Sequence, residues 1–232
     1  MIKYKFTILI MVILIIFSIN EVTAKNNKRL DLFGKVITID AGHGGRDPGT
    51  MYGKVLEKDL NLLIAKRLEK ELISRGAIVH MIRDKDEDLS LTGDYRKKRS
   101  DLYRRIKIIK KNKSDLYLSI HLNWYNNSYF RGVEVLYNNI NKTNKVLAQS
   151  ITNSFDKNNI KTREIRITNL YIYRNITTPG VLIECGFLSN SNDRYLLQRK
   201  YYQKKISKII TDGVIDYFKW LILIKKIDNL VL

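Results

Sequence analysis

Two histidines and a carboxylate stand just past three apolar runs in this chain. Asp40-Ala41-Gly42-His43-Gly44-Gly45, Ser119-Ile120-His121-Leu122-Asn123 and Ile183-Glu184-Cys185-Gly186-Phe187 each follow a stretch rich in β-branched residues. Such stretches read as buried strands bounded by loops. Ligands in open α/β sheets collect at the carboxyl ends of strands. Imidazoles and a carboxylate converging there suggest a zinc hydrolase site of the two-histidine, one-carboxylate kind, with the fourth position left for water.

The chain holds three histidines. His43 and His121 sit at strand ends, whereas His80 lies inside a strand between Val79 and Met81 and reads as a packed, structural side chain. Gly42, Gly44 and Gly45 let the backbone pass close to a metal or substrate. The third ligand is open on spacing alone. Glu57 starts a helix directly after the glycine loop that carries His43, and Asp47 within that loop competes with it. An acidic residue in a first helical turn also has an ordinary explanation in the helix dipole. Glu184, after Val181-Leu182-Ile183, has little structural reason to be there, and a partly buried carboxylate suits general-base work. No HExxH helix is present.

The elements that must position these groups alternate. Strands are expected at residues 35–40, 77–82, 115–120, 132–137 and 179–183, with one or two short ones within 161–173. Helices are expected at 57–75, 94–111, 142–155, 191–198 and 201–218. Leu60, Ile64, Leu68 and Leu72 give the first helix its apolar stripe, with Leu63 beside them, and Gly76 caps it. The expected fold is α/β: a single domain with a mixed, mostly parallel central sheet flanked by helices on both faces. The domain spans residues 35–219, behind a signal peptide or membrane anchor at 1–24 and a linker at 25–34. An apolar and basic tail follows at 220–232, which either extends the last helix or touches a membrane or partner.

The apolar run of residues 6–19 behind Lys3 and Lys5 is too short to span a bilayer as a helix and matches a secretory signal or anchor, so the domain is expected outside the cytoplasm. A single cysteine, Cys185, excludes an internal disulfide and reads as a packing residue. The net charge of +19 favours polyanions. The basic residues are spread along the chain without a nucleic-acid-binding motif, so a wall polymer or membrane surface is expected and nucleic acid is not.

At these residues the chain resembles the type 3 N-acetylmuramoyl-L-alanine amidases, zinc enzymes of bacterial cell walls. The matching pieces are Ile39 to Gly45, Leu56-Glu57-Lys58-Asp59-Leu60, Ser119 to Asn123, and Leu182 to Asn190. The resemblance covers roughly residues 35–218. It implies one Zn2+ held by His43, Glu57 and His121, with Glu184 as the catalytic carboxylate. Residues 95–105, Tyr171-Ile172-Tyr173-Arg174-Asn175 and the short uninterrupted domain look closer to the germination-specific branch of endospore formers. That branch implies action on spore-cortex peptidoglycan between the forespore membranes, stripping peptides so that muramic-δ-lactam can be made. Ala41 departs from a usual proline. Trp124 stands where a small residue is common, and with Asn123 it is a candidate substrate contact. No wall-binding repeat is appended, so capture rests on the domain's own surface or on an exported protein partner. The competing readings are a zinc peptidase acting within the wall peptide and a non-catalytic cell-wall-binding protein.

Overall fold

The computed structural model describes residues 30–231; the hydrophobic segment read as a signal or anchor lies outside them. In chain order the elements are β1 (Val36–Ala41), β2 (Met51–Tyr52), β3 (Val55–Leu56), α1 (Glu57–Ser74), β4 (Ile78–Met81), α2 (Lys97–Lys111), β5 (Leu116–Asn123), β6 (Glu134–Tyr137), α3 (Asn144–Lys157), β7 (Arg166–Ile167), β8 (Gly180–Phe187), α4 (Ser191–Leu197) and α5 (Lys200–Val231). The main sheet runs β4-β1-β5-β8-β6-β7. Strands β4, β1, β5 and β8 are mutually parallel, β6 is antiparallel to β8, and β7 is parallel to β6. The expected α/β class and mixed, mostly parallel sheet are borne out.

The central strands are buried on both faces, which is why they read as continuous apolar runs rather than alternating ones. One face presents Ile37, Ile39, Leu118, Ile120, Val181 and Ile183 to α1, α3 and α5. The other presents Tyr117, Leu182 and Leu136 to Ile106 and Ile109 of α2 and to Tyr173 in a 3-10 turn. The rings of Tyr117 and Tyr173 stack 5.9 Å apart. Helix α1 buries Leu60, Ile64, Leu68 and Leu72 as expected, each worth roughly 1.5–3 kcal/mol. Leu63 faces solvent instead. Gly76 follows α1 at a φ of 92°, the left-handed cap its position suggested.

Several boundaries differ from the sequence reading. Strands β5 and β8 run on to Asn123 and Phe187, so His121 and Glu184 lie inside strands near their carboxyl ends. Their in-register neighbours keep the ladder going beyond the apolar stretch. His80 is exposed on the edge strand β4, not packed, because its side of that strand has no covering helix. Helix α2 begins at Lys97, three residues later than expected. The glycine loop contains the β2–β3 hairpin, too short to show a pattern. Helix α5 continues without a break through Trp220, so the tail extends the last helix.

Helices α3 and α5 meet closely at Gly213, where an added Cβ would lie 2.6 Å from Ile151 Cα. Alanine is favoured over glycine in a helix interior by about 1 kcal/mol, but overpacking against a backbone atom costs about 1–3 kcal/mol. Gly213→Ala is expected to lower the urea midpoint; a raised midpoint would show that the two helices separate freely.

Candidate metal centre

Strand register does most of the positioning. Parallel pairing sets His121 beside Glu184, and antiparallel pairing sets Glu184 beside Glu134. Gly42 continues the same row on the other side, its N–H donating to Ile120 O at 3.0 Å. Residues side by side across strands point to the same face. Position 42 must lack a side chain: a Cβ there would lie 2.2 Å from Cε1 of the His121 ring. Gly44 and Gly45 serve a different purpose from the one expected. A Cβ on either would strike the backbone of Glu87 or Asp88, so these glycines admit a neighbouring loop rather than a metal or substrate.

Glu57 is the convergence point. It is 2% exposed, at the first position of α1. Its Oε1 receives the Leu122 N–H at 3.1 Å and Asn61 Nδ2 at 3.1 Å, and lies 3.2 Å from His43 Nε2 and 3.0 Å from His121 Nδ1. Its Oε2 receives the Thr50 N–H at 2.8 Å and Thr50 Oγ at 3.1 Å. The side chain therefore turns away from its own helix dipole and into the cluster. Burial opposes its charge, but the two imidazoles hold the carboxyl well below the usual carboxylate range.

One ligand atom each from His43, Glu57 and His121 can be chosen so that all three lie within 4.8 Å of one another. Atoms at about 2.0–2.1 Å around a tetrahedral zinc would be about 3.3 Å apart, close to the 3.0 and 3.2 Å separations between the carboxylate oxygen and the ring nitrogens. The two rings stand edge to face, their centroids 5.0 Å apart. The donor set and its spacing fit a divalent cation. Asp47 takes the opposite nitrogen: His43 Nδ1 lies 3.0 Å from Asp47 Oδ2, which leaves Nε2 facing Glu57. Such outer carboxylates fix the tautomer and ring orientation of a ligating histidine. Burial works against a charged His43 ring, yet Asp47 and Glu57 outweigh it and raise the imidazole to about 9 without a cation.

Beneath the cluster, two buried arginines grip the turn that carries His43. Arg105 of α2 binds Asp40 Oδ1 at 2.5 Å, Ala41 O at 3.0 Å, His43 O at 2.7 Å and Asp101 Oδ2 at 2.7 Å. Arg83 donates to Ala41 O, Gly42 O and Lys58 O. His43 has a φ of 61°, a left-handed conformation that costs a non-glycine residue on the order of 1–3 kcal/mol. The Arg105 bond to the His43 carbonyl stabilises that conformation. Asp40, beside Ser119 in the sheet, accepts the Ser119 hydroxyl at 2.9 Å. Sequence reasoning missed Arg83, Arg105, Thr50 and Asn61. Asn61 was one turn beyond Glu57 and could have been found by helical spacing; Arg105 was hidden in a basic run.

Glu184 has the opposite environment. Its Oε2 is buried and has no hydrogen-bond partner among the described residues. Burial, then the carboxylates of Glu57 and Glu134, push it up to about 8 in the cation-free chain. It lines a cleft of about 330 Å³ with His43, Glu57, His121, Asn123 and Trp124. Asn123 has both polar atoms engaged, Nδ2 on Glu134 Oε2 at 2.9 Å and Oδ1 on the Trp124 N–H at 2.8 Å. Trp124 is 38% exposed and lies 6.4 Å from the Tyr52 ring, which is itself covered by the Arg194 guanidinium.

An α/β fold that gathers two imidazoles and a carboxylate at the carboxyl end of its sheet, with an unsatisfied carboxylate alongside, defines a hydrolytic centre. Residues 37–216 match the N-acetylmuramoyl-L-alanine amidase family, and the chain belongs to it: it is an amidase that hydrolyses cell-wall peptidoglycan. Its relatives include the germination-specific N-acetylmuramoyl-L-alanine amidase of Bacillus subtilis, 39% identical over 194 residues and covering 82% of each chain. Among solved structures, the CwlD amidase of Clostridioides difficile in complex with the GerS lipoprotein aligns with a TM-score of 0.76 at 32% identity, over 80% of this chain and 99% of that one. The catalytic domain of CwlV from Bacillus (Paenibacillus) polymyxa gives 0.70 at 30% identity, over 80% of this chain and 98% of that one. The resemblance read from the sequence is borne out.

Removing one partner from a buried ion-pair network costs about 3–5 kcal/mol. Arg105→Met is expected to destabilise the domain by about that much in urea denaturation. A loss below about 1 kcal/mol, the size of an exposed pair, would show that the His43 turn does not depend on it.

Proposed function

We propose that the cluster binds one Zn2+ through His43, Glu57 and His121, and that Glu184 is the catalytic carboxylate for cleavage of the amide between the lactyl group of N-acetylmuramic acid and L-alanine. The observation that carries this reading is the pair of carboxylates with opposite surroundings at one site. Glu57 is saturated with donors and ionised, as a ligand must be. Glu184, on β8 beside His121 of β5, has an unpartnered oxygen and its basicity raised.

When bound, zinc supplies Lewis acidity: it lowers the pKa of water and polarises the amide carbonyl. The chain does the rest. Asp47 keeps the His43 tautomer fixed, and Arg105 keeps the turn in place. Glu184 removes a proton from the attacking water as the oxygen adds to the lactyl carbonyl carbon. It then passes that proton to the nitrogen of L-alanine as the C–N bond breaks, leaving a lactyl carboxylate and a free peptide amine. A base with a pKa near operating pH can perform both transfers. Trp124 and Tyr52 form the aromatic wall against which substrate lies, and Asn123 braces that wall through Glu134.

The likeness to the germination-specific relative supports a role on spore cortex, where stripped muramic acid is the precursor of muramic-δ-lactam. Its site of action is then outside the cytoplasm, between the forespore membranes. The Clostridioides difficile relative in complex with a lipoprotein supports an exported protein partner for this chain as well.

Mass spectrometry of muropeptides after incubation with the zinc-loaded chain is expected to show peptide-free muramic acid and intact stem peptides. Fragments cut within the stem would identify a peptidase instead. Glu184→Gln is expected to retain zinc by metal analysis while losing at least about 100-fold in kcat. His121→Ala is expected to lose zinc, and full occupancy in that variant would remove it from the ligand set.

A further inference from the structure

The amino ends of the strands, opposite the cleft, collect a second set of features that catalysis does not use. Helix α5 packs against α1 and α3, with Trp220 and Leu221 the last side chains against the core, and then projects to Val231. In this extension Trp220, Leu223, Ile224, Ile227 and Leu230 recur at helical spacing on one side. Leu223, Ile227 and Leu230 are exposed, the last at 85%. Lys219 and Lys226 are exposed along one edge of that stripe, whereas Lys225 lies on the opposite face of the helix.

The start of the described chain lies at the same end. Lys35 Nζ sits 4.9 Å from the centre of the Phe218 ring. Arg75 bridges Asp31, at 3.5 Å, and Asp212 of α5, at 3.3 Å. Phe33, 78% exposed, and Leu30, 56% exposed, border Gly76 at the end of α1. The described chain therefore begins, at Leu30, beside the point where α5 leaves the domain.

We propose that the projecting end of α5, with Leu30 and Phe33, is a docking surface for an anionic lipid bilayer. The stripe lies in the interface with its lysines among the headgroups, and the metal cleft at the far end of the sheet faces away into the wall. Three observations select a bilayer over other occupants. The apolar stripe is exposed and bordered by Lys219 and Lys226, the pattern of an interfacial helix. The chain carries a net charge of +19, complementary to an anionic leaflet. The sequence ahead of Leu30, which begins the described chain at this same end, carries the apolar run of residues 6–19. No helix among the described residues is long and apolar enough to cross a membrane, in keeping with a helix that lies on the surface.

The test is hydrogen exchange of the full chain with vesicles of phosphatidylglycerol and phosphatidylcholine, against phosphatidylcholine alone. Amides of residues 219–230 are expected to be protected by the anionic vesicles only. Leu223→Ser with Ile227→Ser is expected to abolish that protection. Lys219→Gln with Lys226→Gln is expected to reduce the docked-to-free ratio about thirtyfold, the equivalent of about 1 kcal/mol per lysine. All four side chains are exposed, so an unchanged melting temperature will show that the variants are folded. Unprotected 219–230 amides on a chain that co-sediments with anionic vesicles would overturn the proposal. So would protection without vesicles that grows with protein concentration, which would assign the surface to a second copy.

Discussion

A carboxylate that is 2% exposed and shared by two imidazoles ties three distant stretches of chain to one point. Removing an ionised group from water costs several kcal/mol unless its lone pairs are all engaged. Glu57 meets that condition only if α1 starts where it does, with Thr50 folded back over Oε2 and the Leu122 amide and Asn61 presented to Oε1. Sliding α1 by a residue would bury an uncompensated charge. The β2–β3 hairpin, the helix start and the carboxyl end of β5 are thus fixed by one electrostatic requirement, and the His43 and His121 rings are carried into place with them.

That requirement also separates two carboxylates of the same chemistry. Glu57 and Glu184 line one cleft. Glu57 is held ionised by donors, whereas Glu184 has an orphaned oxygen and two acidic neighbours that favour its protonated form. Divergent environments for paired acidic groups are the usual way one site obtains two roles. The underlying arginines belong to the same design. Arg105 neutralises buried Asp40 and binds the carbonyl of a residue in a costly conformation, so the penalty of His43 is offset by an interaction that also orients it.

Much of this was legible because strand ends and candidate metal ligands coincide in the sequence. His43 and His121 stand out as polar residues after apolar runs, and Glu57 follows a glycine loop. The spacing left Glu57 and Asp47 as alternatives. Only geometry shows that each takes a different side of the His43 ring. The length of β5 and β8 was underestimated because His121 and Asn123 in the one, and Glu184 and Gly186 in the other, break the apolar run before the strand ends. His80 was misread because an edge strand and a covered strand look alike without knowledge of the sheet order. Arg105 could not be picked out of a basic helix, since burial of a charge depends on partners 65 residues away in sequence. The continuity of α5 past Trp220 was undecidable because an apolar stripe with lysines suits a helix end and a loose tail equally.

The sheet also gives the domain a polarity. Every group assigned to chemistry sits at or beyond the carboxyl ends of β1, β5 and β8. The entry of the chain at Lys35 and the exit of α5 after Phe218 meet at the amino ends. A strand as long as β5 spans about 25 Å, so attachment at one end and catalysis at the other do not compete for surface. An insoluble polymer cannot diffuse to an enzyme, and the enzyme must be held where its cleft meets the strands. A fold that puts the cleft of His43, Glu57, His121 and Glu184 and its exposed apolar helix end on opposite rims is suited to that need.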